Sequence, residues 1–356
     1  MKVQSLQLKY FKKFRSSPVF DFTDPETGLA RDIIVLIGMN VAGKTSLLQA
    51  IASTLGTATG RLKEPSDLEW AGFNYELLGS NCGRFEPEVT IKVQFSSGEL
   101  QAVRDFQEKL REIGRDLQPP AEKHIVTLKW RNGRVQADSA AELFQLKGRE
   151  YAKQLFRAEG FQVFERVGTI FWYTEQRTST SLTTEDPDRK LEITEDLLRD
   201  RLSKWRQFHQ DVETGRIQHL RQGQKDLSAE IERGYKAVFP ERSFEGPVLR
   251  ENVDDILSEP WFYLYDDKNQ YEISEMSGGE RAIFPMLVDF ASWNIHNSVI
   301  LIDEIEISPL NLNNQIDVNP TFGKVLHTPL PLVHCYRAHP TTVKKLQCPS
   351  YSVQQR

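Results

Sequence analysis

Apolar and polar positions alternate at the start of the chain and then give way to continuous apolar runs and amphipathic helical windows. VQSLQLK at 3–9 alternates as a half-buried strand does, and PVFDF at 18–22 supplies an antiparallel partner across a basic turn. DIIVLIG, from Asp32 to Gly38, is apolar throughout, the mark of a strand covered on both faces. A glycine loop follows it. Leu47, Leu48, Ile51, Ala52 and Leu55 then recur at helical spacing, with Gly56 where a C-terminal cap is expected.

The middle of the chain is mixed. VTIKVQF and IVTLKW read as strands, and QAVRDFQEKLREIGRDL reads as an exposed helix ended by Pro119-Pro120, together an elaborated sheet edge. VGTIFWY is a further strand that leads into the polar segment TEQRTSTSLTTEDPD. A charged helical stretch from about 188 to 236 lacks sustained heptads, which predicts a stub arm and not a long coiled coil. WFYLYDDKNQYEI reads as a hairpin turning at Asp266 to Asn269, and SVILID as a buried strand near residue 300. No internal repeat is visible. The expected organisation is an N-terminal lobe over 1–186, a helical insertion over 187–240 and a C-terminal lobe over 241–356, atypical from about 307.

Composition narrows the class. With 39% hydrophobic and 27% charged residues and no apolar run long enough to span a bilayer, the chain reads as globular, cytoplasmic and free of the membrane. The opening MKVQSLQLKYFKKF lacks the apolar core of a secretory signal. Cys82, Cys335 and Cys348 are odd in number and lack CxxC spacing, so they predict reduced thiols and neither disulfides nor a zinc site. The net charge of -5 gives no global attraction for nucleic acid. Lys9, Lys12, Lys13 and Arg15 form either a local basic patch or a solvated strand edge.

Three motifs carry chemistry. Gly38-Met39-Asn40-Val41-Ala42-Gly43-Lys44-Thr45 fits G-x-x-x-x-G-K-[ST] between a strand and a helix. Its glycines let backbone wrap phosphates, Lys44 reaches β and γ phosphates, and the Thr45 hydroxyl holds Mg²⁺. Asn40, Ala42 and Ser46 complete the residues expected to touch the nucleotide. Val299 to Ile302 ends in Asp303 and Glu304, placing two carboxylates where a parallel sheet presents ligand-facing residues. Asp303 is expected to reach the metal and Glu304 to act as general base on water. Met276-Ser277-Gly278-Gly279-Glu280 opens a helix capped by Ser277, with Ile283, Met286, Leu287, Phe290 and Ala291 on its apolar face.

In this order the three motifs resemble the ABC-type ATPase superfamily, where MSGGE stands for the signature usually written LSGGQ. The opening LQLKYFKKFRSSPVFDF with IVLIGMNVAGKTSLLQAIA is similar to RecF-like and SMC-like heads and to stand-alone bacterial AAA-family ATPases. The resemblance covers residues 1 to about 56 and 260 to 307 well, and the middle in outline. It implies an α/β P-loop NTPase of ABC type, with a mixed central sheet, an antiparallel flank and a helical insertion. It also implies ATP and Mg²⁺ as cofactors and a homodimer in which Ser277, Gly278, Gly279 and Glu280 complete the partner's site. Gln176 is the candidate metal and γ-phosphate sensor, with Arg177 as its alternative. DNA and a separate nuclease or effector are the partners that the resemblance suggests, in repair or phage defence.

Two features depart from the family. After Glu304 the chain is rich in Asn and Pro, and no convincing strand appears beyond PLPLVHCY, so the tail is either divergent or frameshifted near codon 307. His339 is the best positional match for the family's switch histidine, ahead of His334 and His327. Pro285, inside the signature helix, is expected to kink it. An abnormal tail favours a rival reading, an ATP-gated dimerising clamp with little turnover; a transporter ATPase subunit is the third.

Overall fold

The computed structural model describes residues 1–39, 41–79, 85–115, 117–174, 195–220, 224–248, 260–303 and 332–337, with backbone alone at 195–197, 282 and 332–337. The alternation at the N-terminus becomes β1 (Lys2–Phe11), which buries Val3, Leu6 and Leu8. The switch from odd to even positions is made by a register shift between Val3 and Ser5 against β5 (Glu88–Gln94). The expected partner of β1 is split in two around Pro18, which has no N–H for a ladder: β2 (Phe14–Ser16) and β3 (Phe20–Asp21) both pair with β1. Beyond β5 the antiparallel sheet continues through β6 (Ile125–Arg131) to β7 (Arg134–Gln136).

The second sheet is parallel. It comprises β4 (Ile33–Gly38), β8 (Ile170–Tyr173), β12 (Val299–Ile302) and β13 (Leu332–Arg337), in the order β4-β13-β12-β8. PLPLVHCY, the one strand candidate of the tail, supplies β13, which lies between the strand before the glycine loop and the strand before Asp303. The rest of the tail, 304–331 and 338–356, lies outside the described residues. The third sheet joins β9 (Ser243–Val248), β10 (Trp261–Tyr265) and β11 (Gln270–Glu272), with the hairpin turn at Asp266 to Asn269 as expected.

β4 buries Ile34 but leaves Ile33 and Ile37 exposed, so it is not covered on both faces as expected, whereas β8 and β12 each feed two cores. Ile170, Trp172, Val299 and Leu301 pack with α1 (Lys44–Thr59) and the antiparallel sheet. The alternate residues Phe171, Tyr173, Ile300 and Ile302 pack with Met286 and Phe290 of α7 (Gly278–Ser292). That two-sided burial is why these strands read as unbroken apolar runs.

Several helices end elsewhere than expected. α1 runs on to Thr59 and is capped by Gly60 at φ 83°, whose N–H bonds to the Gly56 and Thr57 carbonyls. Gly56 serves close packing, since a Cβ there would lie 2.9 Å from Leu62 Cδ1. α2 (Ser97–Glu112) stops ahead of Gly114, well before the prolines, and is not wholly exposed: Leu100, Val103, Phe106 and Leu110 are buried. Part of that face meets Tyr151, Ala152 and Leu155 of α4 (Gly148–Glu159), which follows α3 (Ala140–Leu146).

The charged stretch forms two helices, α5 (Glu195–Glu213) and α6 (Leu227–Val238). Leu202, Ile231 and Tyr235 share a core with Phe244, Phe262, Leu264, Phe284 and Leu287, so the helical insertion and the signature helix rest on common apolar ground. α7 is continuous across Pro285.

Candidate nucleotide site

The site begins where β4 ends. Gly43, at φ 95°, is the N-cap of α1; it offers no side-chain cap, and the first turn carries no acidic residue. The helix start is thus left to an anion. A Cβ at Gly43 would collide with Lys13 Cε at 2.5 Å and Phe14 Cζ at 2.9 Å, and one at Gly38 would sit 3.1 Å from Ala42 Cβ. Gly43 is therefore required by its positive φ, with the Phe14 ring adding crowding, while Gly38 is tightly but not prohibitively packed. Lys44 folds over the loop, its Nζ donating to the Gly38 carbonyl at 2.8 Å and the Met39 carbonyl at 3.2 Å. Val41 takes φ 65°, so this position demands the left-handed region from a β-branched residue.

Asp303 follows β12 directly, is 3% exposed, and its N–H donates to the Tyr173 carbonyl at 3.0 Å. The register carries it to the loop. His334 of β13 pairs with both Val35 and Ile302, while Arg337 pairs with Gly38. Asp303 and the phosphate loop therefore stand at the same carboxyl edge of one sheet. Thr45 and Asp303 offer hydroxyl and carboxylate oxygens, the hard donors that Mg²⁺ takes, and the glycine cradle fits a polyphosphate. His334 lies inside β13, away from that edge. Asn40, Gln176, Arg177, Glu304, His327 and His339 lie outside the described residues, and Ser46 lies in the first turn of α1.

Lys12 and Lys13 were missed as part of this site. Lys12 Nζ donates to Gln49 of α1 and to the Gly72 carbonyl at 2.7 Å. Burial pushes its ammonium below the usual lysine range, and the Asp303 carboxylate opposes that shift. The two lysines form the short turn between Phe11 and Phe14, which face each other across β1 and β2. A basic dipeptide between two phenylalanines was the available signal.

The signature segment stands elsewhere. Ser277 caps α7, accepting from the Glu280 N–H at 3.3 Å, while Glu280 Oε2 accepts from the Ser277 N–H at 2.9 Å. Ser277 and Gly278 are exposed. Glu280 is not: it is 2% exposed, and its Oε1 accepts from Tyr235 at 2.7 Å and Tyr271 at 2.6 Å, with Arg242 Nε at 3.1 Å. Burial alone would raise its pKa, but the tyrosine hydroxyls and Ser277 outweigh burial and hold it below the usual carboxylate range. Glu280, expected among the nucleotide contacts, instead anchors the helix start. Only Ser277 to Gly279 face outward.

The AAA domain family model matches residues 5–236. The chain belongs to that family. Its fold is accordingly that of a nucleotide-binding ATPase, in agreement with the motifs. Among solved structures, this AAA domain chain is similar to an Smc head bound to the C-winged helix domain of ScpA, at 15% identity and a TM-score of 0.46, with 95% of this chain and 90% of that one covered. It is also similar to the SMC head domain from Thermotoga maritima, at 15% identity and a TM-score of 0.41 over 95% and 90% of the two chains. A Pyrococcus yayanosii Smc head with a coiled coil and joint aligns at 13% identity and a TM-score of 0.41, covering 94% and 92%. No curated protein matches the chain. Among the described residues, no helix is long and apolar enough to cross a membrane.

Proposed function

We propose that the chain binds ATP with Mg²⁺ and hydrolyses it to ADP and phosphate within a head-to-tail homodimer that drives a DNA-related process. The observation that supports this reading is the shared carboxyl edge of the parallel sheet, where the register through β13 puts Ile302 level with Val35 and so Asp303 two residues short of Gly38, where the phosphate loop begins. Lys44 and the open amides of α1 would hold the phosphates, and Thr45 and Asp303 the metal. A magnesium ion held there would supply charge neutralisation at the phosphoryl group. Glu304 would take a proton from water as its oxygen bonds to the γ-phosphorus and the bond to the bridging oxygen of ADP breaks. Gln176 remains the proposed sensor and His339 the proposed switch residue.

Dimerisation is supported by the two faces of the sheet. α1 packs on the Trp172 side and α7 on the Tyr173 side, so the helices that begin at Lys44 and just after Ser277 pack on opposite faces of the sheet. A second copy would bring its exposed Ser277 and Gly278 to the phosphate loop of the first.

Phosphate release and light scattering with and without ATP test the proposal on the wild type, Lys44→Ala and Glu304→Gln. The expected outcome is turnover in the wild type alone, no ATP binding by Lys44→Ala, and an ATP-held dimer for Glu304→Gln. A wild type that dimerises on ATP without turnover would favour the clamp; equal turnover in all three proteins would end the assignment.

A further inference from the structure

Tyr173, the last residue of β8, touches two parts of the proposed machinery at once. Its carbonyl accepts from the Asp303 N–H at 3.0 Å, and it pairs with Ile302 in the β8–β12 register. The main chain of Tyr173 thus fixes where the proposed metal ligand leaves the sheet. Its side chain reaches the other way, into α7: the hydroxyl donates to Asp289 Oδ2 at 3.2 Å, and the ring meets Phe290 edge-on at 6.2 Å. Tyr173 is 0% and Asp289 1% exposed.

The bond between them lies in an apolar layer. Met286, Phe290, Ile300 and Ile302 surround it, and the second oxygen of Asp289 has no hydrogen-bond partner among the described residues. Burying such a pair gains little over two apolar side chains of the same shape. What it adds is direction. A hydrogen bond holds α7 at one position against β8, where apolar contacts tolerate sliding.

The two ends of this contact serve different nucleotides in the dimer. Asp303 would hold the metal at its own chain's site, whereas Ser277, at the start of α7, would close the partner's. We propose that Tyr173 is a positioning residue that couples the two sites, passing a shift of the signature helix through Asp289 to the main chain of Asp303. This rests on the ATP-dimer reading, and it makes the strength of one site depend on occupation of the other.

Steady-state phosphate release from the full chain, followed against ATP and against Mg²⁺, tests it for the wild type, Asp289→Asn, Tyr173→Phe and the double variant Tyr173→Phe/Asp289→Leu, with melting temperatures of each. The wild type should show a Hill coefficient for ATP above about 1, and Asp289→Asn, which keeps an oxygen acceptor for the tyrosine, should retain it. The double variant exchanges the bond for an apolar pair, so it should melt no earlier than the wild type. Its Hill coefficient should nevertheless fall to about 1, and its half-saturating Mg²⁺ should rise about fivefold. Tyr173→Phe should behave likewise but melt earlier, because it leaves the Asp289 carboxyl unpaired. A double variant with the wild-type Hill coefficient and Mg²⁺ dependence would overturn the inference, as would a wild type that turns over without cooperativity; both leave the ATP reading standing. Loss of cooperativity shared by Asp289→Asn would assign the effect to the carboxyl itself and overturn it too. A wild type without turnover would remove the hydrolysis reading and this inference with it.

Discussion

Replacing Glu272 by Gln tests how the helical insertion is wired to the signature loop. Arg199 of α5 grips Glu272 with two bonds, Nε to Oε1 at 2.8 Å and a terminal nitrogen to Oε2 at 3.1 Å, and Glu272 is 5% exposed. The same carboxylate accepts from the Ser274 N–H at 2.8 Å and from its hydroxyl, bracing the turn that leads into Ser277. Burial alone would raise its pKa; the Arg199 and Ser274 donors outweigh burial and hold it down at about 2, against 4.5. At 1.36 kcal/mol per unit, that difference stabilises the fold by about 3 kcal/mol at neutral pH. Because the folded pKa is depressed, the contribution is complete above pH 4.5 and fades as pH falls toward 2. Denaturant unfolding at pH 7 should show Glu272→Gln less stable by about 3 kcal/mol. By about pH 3.5 the gap should have narrowed measurably, since the wild type loses there what the variant never had. A variant as stable as the wild type at pH 7, or a gap that stays constant to pH 3.5, would refute the reasoning.

Two further outcomes follow from buried groups and backbone. Asp289 is 1% exposed; Tyr173 donates to its Oδ2 at 3.2 Å, and burial pushes its pKa well above the usual carboxylate range despite that bond. The raised folded pKa makes the carboxylate destabilising as pH rises, so Asp289→Asn should unfold later than the wild type at pH 8 and lose that advantage toward pH 4, as thermal melts across that range would register. Val41→Gly should raise the unfolding free energy by about 0.5–1 kcal/mol, because relief of a left-handed β-branched residue exceeds the added chain entropy of glycine; a lower midpoint in urea would count against it.

What was legible in the sequence was local. The phosphate loop is written in consecutive residues whose flanks, an apolar strand and a periodic helix, are themselves short-range signals. The Ser277 cap is equally local, because its partner Glu280 lies one turn away. What failed depended on distant partners. Gly56 resembled a cap until Leu62 was seen against it, and the helix ran on to the glycine that could take a positive φ. β13 was obscured by prolines at its start, and its identity comes from β4 and β12 pairing on either side. Glu280 looked like part of a ligand-facing signature because nothing nearby announces Tyr235 and Tyr271.

These distant partners give the signature helix its fixed position. The turn before α7 is held by Arg199 of α5 through Glu272, its first turn by Tyr235 of α6 through Glu280, and its interior by Tyr173 of β8 through Asp289. The first two anchors come from the helical insertion and the third from the parallel sheet. A displacement of α5 and α6 relative to that sheet would therefore pull on both ends of this set at once. The apolar contacts can slide with little directional preference, but the three hydrogen-bonded carboxyl groups cannot. Ser277 is consequently positioned by the insertion more strictly than by the sheet. A charged helical stretch expected as a stub arm is, in this fold, the element whose Arg199 and Tyr235 hold the start of the signature helix.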